Sequence, residues 1–158
     1  MPRGPATLGV LSDTHGLVRP EALAALAGVA HIVHAGDVGG PEVFAALAAV
    51  APVTAVRGNN DRDKWGRALP ATATLEFAGR RIHVLHDAAD LAVDPRAAKI
   101  DVVITGHSHK PKQVREGGVL YLNPGSAGPR RFKLPITLAR VRVRGDELDV
   151  EFVELVAV

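Results

Sequence analysis

The chain has 158 residues, enough for one compact domain spanning 1–158 and too few for two with separate cores. Apolar residues make up 47% of it but only six residues are aromatic, so the core must be assembled from Val, Leu, Ile and Ala. The net charge of +2 comes from scattered Lys and Arg without a basic run or interleaved aromatics, which leaves nucleic acid as no more than an open partner. The absence of cysteine excludes disulfides and thiolate metal sites, so any metal must be held by oxygen and imidazole. No run approaches the roughly 20 apolar residues of a membrane helix, and the first apolar run is too short for a signal peptide. A cytoplasmic protein without a membrane partner is the expectation.

In chain order, the first apolar run, Thr7 to Leu11, ends in Ser12-Asp13-Thr14-His15. A buried strand there delivers a carboxylate and an imidazole at its carboxyl end. On an extended backbone Asp13 and His15 alternate onto one side, where they can address one cation together. Pro20 to Gly28 opens with Pro-Glu, continues in Ala and Leu and stops at glycine, the punctuation of a short helix. His31 to His34 is a second strand, closed by Ala35-Gly36-Asp37. A second helix runs from Pro41 to Val50, and a third strand, Val53 to Arg57, enters Gly58-Asn59-Asn60-Asp61. Strand, helix, strand, helix, strand is the order of a parallel, right-handed α/β half with its site at the strand carboxyl ends.

Asp61 to Pro70 reads as a polar loop anchored by the single tryptophan, Trp65. Ala71 to Phe77 and Arg80 to His86 flank a hairpin turn at Ala78-Gly79. A helical segment is expected to begin near Asp94-Pro95. Asp101 to Thr105 is a further buried strand, running into Gly106-His107-Ser108-His109. The pattern then becomes β-rich: Lys112 to Glu116, Gly117 to Leu122, Leu134 to Arg144 and Glu147 to Val156. Alternation in Arg140-Val-Arg-Val-Arg144 marks one buried and one wet face, and this half is expected to be more antiparallel. The fold class is therefore α/β, with two facing mixed β-sheets flanked by helices.

Seven oxygen and nitrogen donors stand at strand ends, in or beside glycine-bearing turns: Asp13, His15, Asp37, Asn59, His86, His107 and His109. Seven are too many for one tetrahedral zinc and suit two cations sharing a carboxylate. With Asp13-Thr-His15, Gly36-Asp37, Gly58-Asn59-Asn60-Asp61, His86 and Gly106-His-Ser-His109 in that order, the chain resembles the calcineurin-like metallophosphoesterases. Within them it is similar to the YfcE-type phosphodiesterase branch, related to Vps29, and Asn123-Pro-Gly-Ser126 also matches that branch.

The resemblance implies a four-layer α/β/β/α sandwich and a binuclear metal-dependent phosphoesterase acting on phosphodiester bonds. It implies one cation on Asp13, His15, Asp37 and His109 and a second on Asp37, Asn59, His86 and His107, with Asp37 bridging. The nucleophile expected is a metal-activated hydroxide attacking phosphorus in line. The ions are expected to be manganese first, with nickel, cobalt, iron or zinc also compatible with mixed imidazole and carboxylate ligation. Asn59 and Asn60 are expected to bind substrate, a small phosphate ester or nucleotide. Homo-oligomers are common among such relatives, and the alternating carboxyl-terminal strands offer an edge for one.

Two positions depart from the family pattern: Asn60 stands where many relatives have a histidine, and Asp87-Ala88 where they often have Gly-His. His31 and His83 lie inside strands and read as structural. His34 and Asp61 are candidates to support the ligands, the latter by accepting backbone hydrogen bonds. Arg57, Lys110, Arg130 and Arg131 sit beside the motifs, where they read equally as phosphate-steering or as solvated charges. A competing reading from another class is a non-catalytic metal-binding interaction scaffold of the Vps29 type. Coordinating residues at all seven positions favour the enzyme.

Overall fold

The computed structural model describes residues 6–156. Its first half contains strands β1 (Ala6–Leu11), β2 (His31–His34) and β3 (Val53–Ala55), with helices α1 (Pro20–Ala25), α2 (Pro41–Ala48) and α3 (Lys64–Arg67). Strands β4 (Thr72–Phe77), β5 (Arg80–Leu85), β6 (Val102–Ile104), β7 (Pro111–Glu116) and β8 (Val119–Pro124) follow. Strands β9 (Ile136–Arg144) and β10 (Glu147–Val156) form a closing hairpin.

Two five-stranded mixed sheets result, ordered β10-β9-β1-β2-β3 and β4-β5-β6-β8-β7. Each contains three parallel strands, β1-β2-β3 at one edge of the first sheet and β5-β6-β8 in the middle of the second. The sheets face one another across Leu8, Val10 and Val33 on one side and Ile82, Val84, Ile104, Leu120 and Leu122 on the other. The β-branched, two-fold alternation of these strands drives this packing, because every second side chain finds an apolar partner across the gap. Helices α1 and α2 cover the outer face of the first sheet through Ala22, Leu26, Val43 and Leu47, packed on Leu11 and Ile32.

The outer layer on the second sheet is thin: a 3-10 turn at Ala88–Asp90 and an irregular segment whose Leu91, Ala98 and Ile100 pack on Leu85, Val103 and Val119. The helix expected near Asp94 is instead a run of turns. The Asp94 side chain accepts the Arg96 N–H, and Ile100 N–H reaches back to Pro95 O, so the chain closes on itself before a second helical turn forms. Conversely, the Asp61 to Pro70 loop contains α3, because Asp63 accepts the Gly66 N–H as an N-cap. Trp65 packs edge-on against Phe44 of α2, 6.3 Å between ring centres, so it anchors the loop as expected. Gly117 and Gly118 are the β7–β8 turn, both with positive φ, so β8 begins at Val119. β8 runs antiparallel to β7 and parallel to β6, so the expected antiparallel character holds for β7, β9 and β10 and for only one side of β8.

Candidate metal centre

The carboxyl ends of β1, β2, β3, β5 and β6 converge on one point between the sheets. The expectation that Asp13 and His15 meet by strand alternation is not met. Both have left-handed backbones, φ 58° and 49°, and so do Asp37, His107 and His109. Of the eight described non-glycine residues with positive φ, five are predicted ligands. Such conformations cost about 1–3 kcal/mol each and persist only where the surroundings over-determine them. Asp and His tolerate the left-handed region better than most residues.

The surroundings are specific. Asp13 N–H donates to Gly36 O and His15 N–H to Asp37 O, lacing the β1 and β2 loops together. Asp61, 3% exposed, accepts three backbone hydrogen bonds, from Val38, Gly39 and Gly58, and so ties the Asp37 loop to the Asn59 turn, as its sequence position suggested. His34 is fully buried, and its Nδ1 accepts from Gly36 N–H. Its Nε2–H therefore donates to Thr14 Oγ1 at 2.9 Å, and Thr14 in turn donates to Val38 O. Burial pushes the His34 pKa down to about 4. His34 thus supports the two loops through Thr14 and Gly36, not through a ligand side chain. In the sequence the only signal for Thr14 is its place between two candidate ligands.

Asn123 braces the remaining loop, donating to Gly106 O and Ser108 Oγ, and Ser126 Oγ donates to Asp13 O. Two glycines permit the close approach: a Cβ on Gly58 would strike Asp37, and one on Gly106 would strike Ser12 and Asp13. His31 and His83 bond Thr54 and Thr74 on neighbouring strands and are structural, as read from the sequence.

Within this frame two donor triads form, Asp13–His15–His109 and Asp13–Asp37–His86. Asp13 Oδ1 stands 3.9 Å from His15 Nε2, 3.8 Å from His86 Nε2 and 3.4 Å from His109 Nε2. Asp37 Oδ2 lies 3.6 Å from His15 Nε2 and 3.3 Å from His86 Nε2. Both carboxylates therefore face imidazoles of both groups, where Asp37 alone was expected to. Asn59 Oδ1 is 2.9 Å from His86 Nε2 and 3.3 Å from His107 Nδ1. His107 joins neither triad: its backbone N–H donates to Asp13 Oδ2, while its Nε2 turns to Asp87, 3.7 Å away. Asn60 spends both its backbone N–H and its side-chain amide on Asp37. Arg57 lines a cavity beside Asn59 and His86, whereas Lys110, Arg130 and Arg131 are exposed.

The donor set fits a cation on its own geometry. Asp13 Oδ1 and His15 Nε2 are buried without a hydrogen-bond partner, a costly state unless something positive sits between them. His86 makes the same point. Its Nδ1–H donates to Ala35 O at 2.7 Å, which in the neutral ring aims the Nε2 lone pair at oxygens of Asn59, Asp37 and Asp13. Acceptors facing acceptors need a proton or a metal. Without metal a proton takes that place: burial alone lowers the His86 pKa, but its bonds to Asp37 and Ala35 and the charges of Asp13 and Asp37 raise it overall. Burial raises Asp13 and Asp37, but facing imidazoles and hydrogen-bond donors more than reverse this, holding both carboxyls ionised.

Comparison with known proteins agrees with this geometry. The calcineurin-like phosphoesterase superfamily domain matches residues 7–146. A probable metallophosphoesterase of Methanothermobacter thermautotrophicus is 34% identical over 158 residues, covering 92% of this chain and 91% of the relative. Among solved structures, zinc-complexed Vps29 of Entamoeba histolytica superposes with a TM-score of 0.68 at 24% identity, over 94% of this chain and 99% of that one. The E. coli phosphoesterase YfcE gives 0.67 at 22% identity, over 94% and 99%. With two facing mixed sheets and the motif residues gathered at one end of them, the chain belongs to the calcineurin-like phosphoesterase superfamily.

Proposed function

We propose that this protein hydrolyses phosphodiesters at two divalent cations, manganese first among them. The reading rests on one observation: Asp13 Oδ1, buried and unpartnered, stands in two donor triads at once. Asp13, His15, Asp37 and His109 would hold one ion, and Asp37, Asn59, His86 and His107 the other, with Asp13 close to both. Cations bound there supply Lewis acidity toward the phosphoryl oxygens and ready a water for attack at neutral pH. The chain's own contribution is to fix the donors before substrate arrives. Asp61 and His34 hold the loops, and the Ala35 carbonyl sets the His86 tautomer. His107 would reach its ion through Nδ1, which already faces Asn59 Oδ1, with Nε2 turned to Asp87. The proposed substrates are small phosphate esters or nucleotides, Asn59 and Asn60 flanking the phosphate. The core shared by the two sheets supports one domain, and we place the protein in the cytoplasm.

The test is turnover of bis-p-nitrophenyl phosphate with and without manganese, in the wild type and in Asp37→Ala. Metal-dependent turnover that Asp37→Ala removes is the expected result; turnover indifferent to both would overturn the assignment. The second reading, an interaction scaffold, draws on the likeness to Vps29, one structure of which is complexed with a cyclic peptide. In that case metal binds and the ester survives.

A further inference from the structure

The metal centre leaves one neighbouring feature unexplained. A cavity of about 460 Å³ opens beside His107 and lies on the outer face of the second sheet. Strand register builds its floor. Val103 of β6 pairs with Tyr121 of β8, which pairs with Val114 of β7, so three side chains form one row across the sheet. The alternate residues of β6 and β8, Val102, Ile104, Leu120 and Leu122, point into the core instead, which fixes the row on the outer face. Leu91, in the thin outer layer, supplies an apolar wall. Two residues along β7 from Val114, on the same face, the exposed Lys112 brings a cation to the cavity. His107 lines it too, with Nδ1 3.3 Å from Asn59 Oδ1, so cavity and metal centre are continuous.

Val114 is 38% exposed, a large apolar side chain left uncovered above this floor. Its volume is within the roughly 300–1,000 Å³ of small-ligand pockets, and its make-up, an apolar bed with a few polar groups, is also theirs. A methyl ester at the centre would leave that bed wet. A flat ring would cover it, lying over Tyr121 and Val114, with Val103 already buried below them.

We propose that this groove takes an aryl or nucleobase-sized arm of a phosphate ester whose phosphate sits at the metal centre, and that Lys112 faces the phosphate's negative charge. The inference rests on the phosphoesterase reading above and narrows its substrate class. The probes are phenylphosphonate and methylphosphonate, which cannot be hydrolysed, titrated by calorimetry into manganese-loaded protein. The wild type is expected to bind the phenyl compound at least about tenfold more tightly. Val114→Trp, which fills the groove from an exposed strand position, should abolish that preference while leaving methylphosphonate affinity within about twofold. Lys112→Gln should weaken both probes severalfold. Equal affinities in the wild type, no binding of either probe, or a preference that survives Val114→Trp overturns the groove. A phenyl preference lost in Val114→Trp, without turnover of bis-p-nitrophenyl phosphate, keeps the groove and overturns the enzyme instead.

Discussion

The half of the centre formed by Asp13, His15 and His109 borders neither cavity, although His15 is partly exposed, whereas the half gathering Asn59, His86 and His107 joins a buried His86 to an exposed His107 and opens onto two cavities. The His109 side chain is 5% exposed and that of His107 is 47% exposed. The first half is braced at Asp13 O by Ser126 and at Thr14 by His34. In the open half only His86 has a fixed tautomer, through Ala35 O, while His107 divides its ring between Asn59 and Asp87. The two groups differ in how much ordering an arriving ion must impose. Buried donors lose little entropy when an ion arrives, because packing has already immobilised them; an exposed imidazole must give up rotamer freedom first. In the two-ion reading proposed above, one group of donors is therefore preformed and the other completes itself on the solvent side.

The largest effect is expected at Asp13, the residue common to both donor triads. Asp13→Ala should empty the two sites together and lower turnover by about a thousandfold or more, read as metal content after dialysis and as kcat/KM. Retention of one tightly held ion would show that the halves do not share Asp13.

Acid should act next, through the brace of the first half. His34 has a folded pKa of about 4, below its ordinary value of 6.5, so the unfolded chain takes up a proton first. Its contribution is intact above pH 6.5 and is lost as the pH falls toward 4, by on the order of 3 kcal/mol. Urea unfolding of metal-free protein across that window measures the loss, and His34→Gln should flatten it. His86 works the other way in metal-free protein. Its raised pKa stabilises the fold below 6.5, and that contribution disappears as the pH rises through the folded value. The two slopes separate in the single variants.

The smallest effects belong to the open half. His107→Ala should weaken the second ion by about tenfold and leave the first in place. Asp87→Ala, by removing the carboxylate that faces His107 Nε2 while Nδ1 faces Asn59, should weaken the second ion severalfold. Equal losses at both sites in His107→Ala would contradict the division into a preformed and a self-completing half.

Much of this arrangement was legible beforehand in particular residues. The run Thr7 to Leu11 reads as a strand, and Pro20-Glu21 and Pro41-Glu42 read as helix starts, because period and punctuation are local properties. Asp61 was recognisable as a backbone acceptor from its place in Gly58-Asn-Asn-Asp. The turn run after Asp94 was not legible, since a single Asx turn diverted a segment whose composition suited a helix. Nor was the direction of β8 visible, because a buried strand has the same pattern whether its neighbour runs with it or against it.

The sequence by itself determined which donors exist, that each follows a strand, and that the core is aliphatic; these depend on residue type and on spacing along the backbone. Tertiary structure alone decided that Asp13 stands between both groups, that five candidate ligands turn left-handed, that His107 leans on Asp87, and that a groove opens beside it. The physical reason is distance along the chain. His107 and Asp13 are 94 residues apart, and their contact is set by how two sheets register and pack, which no local pattern encodes.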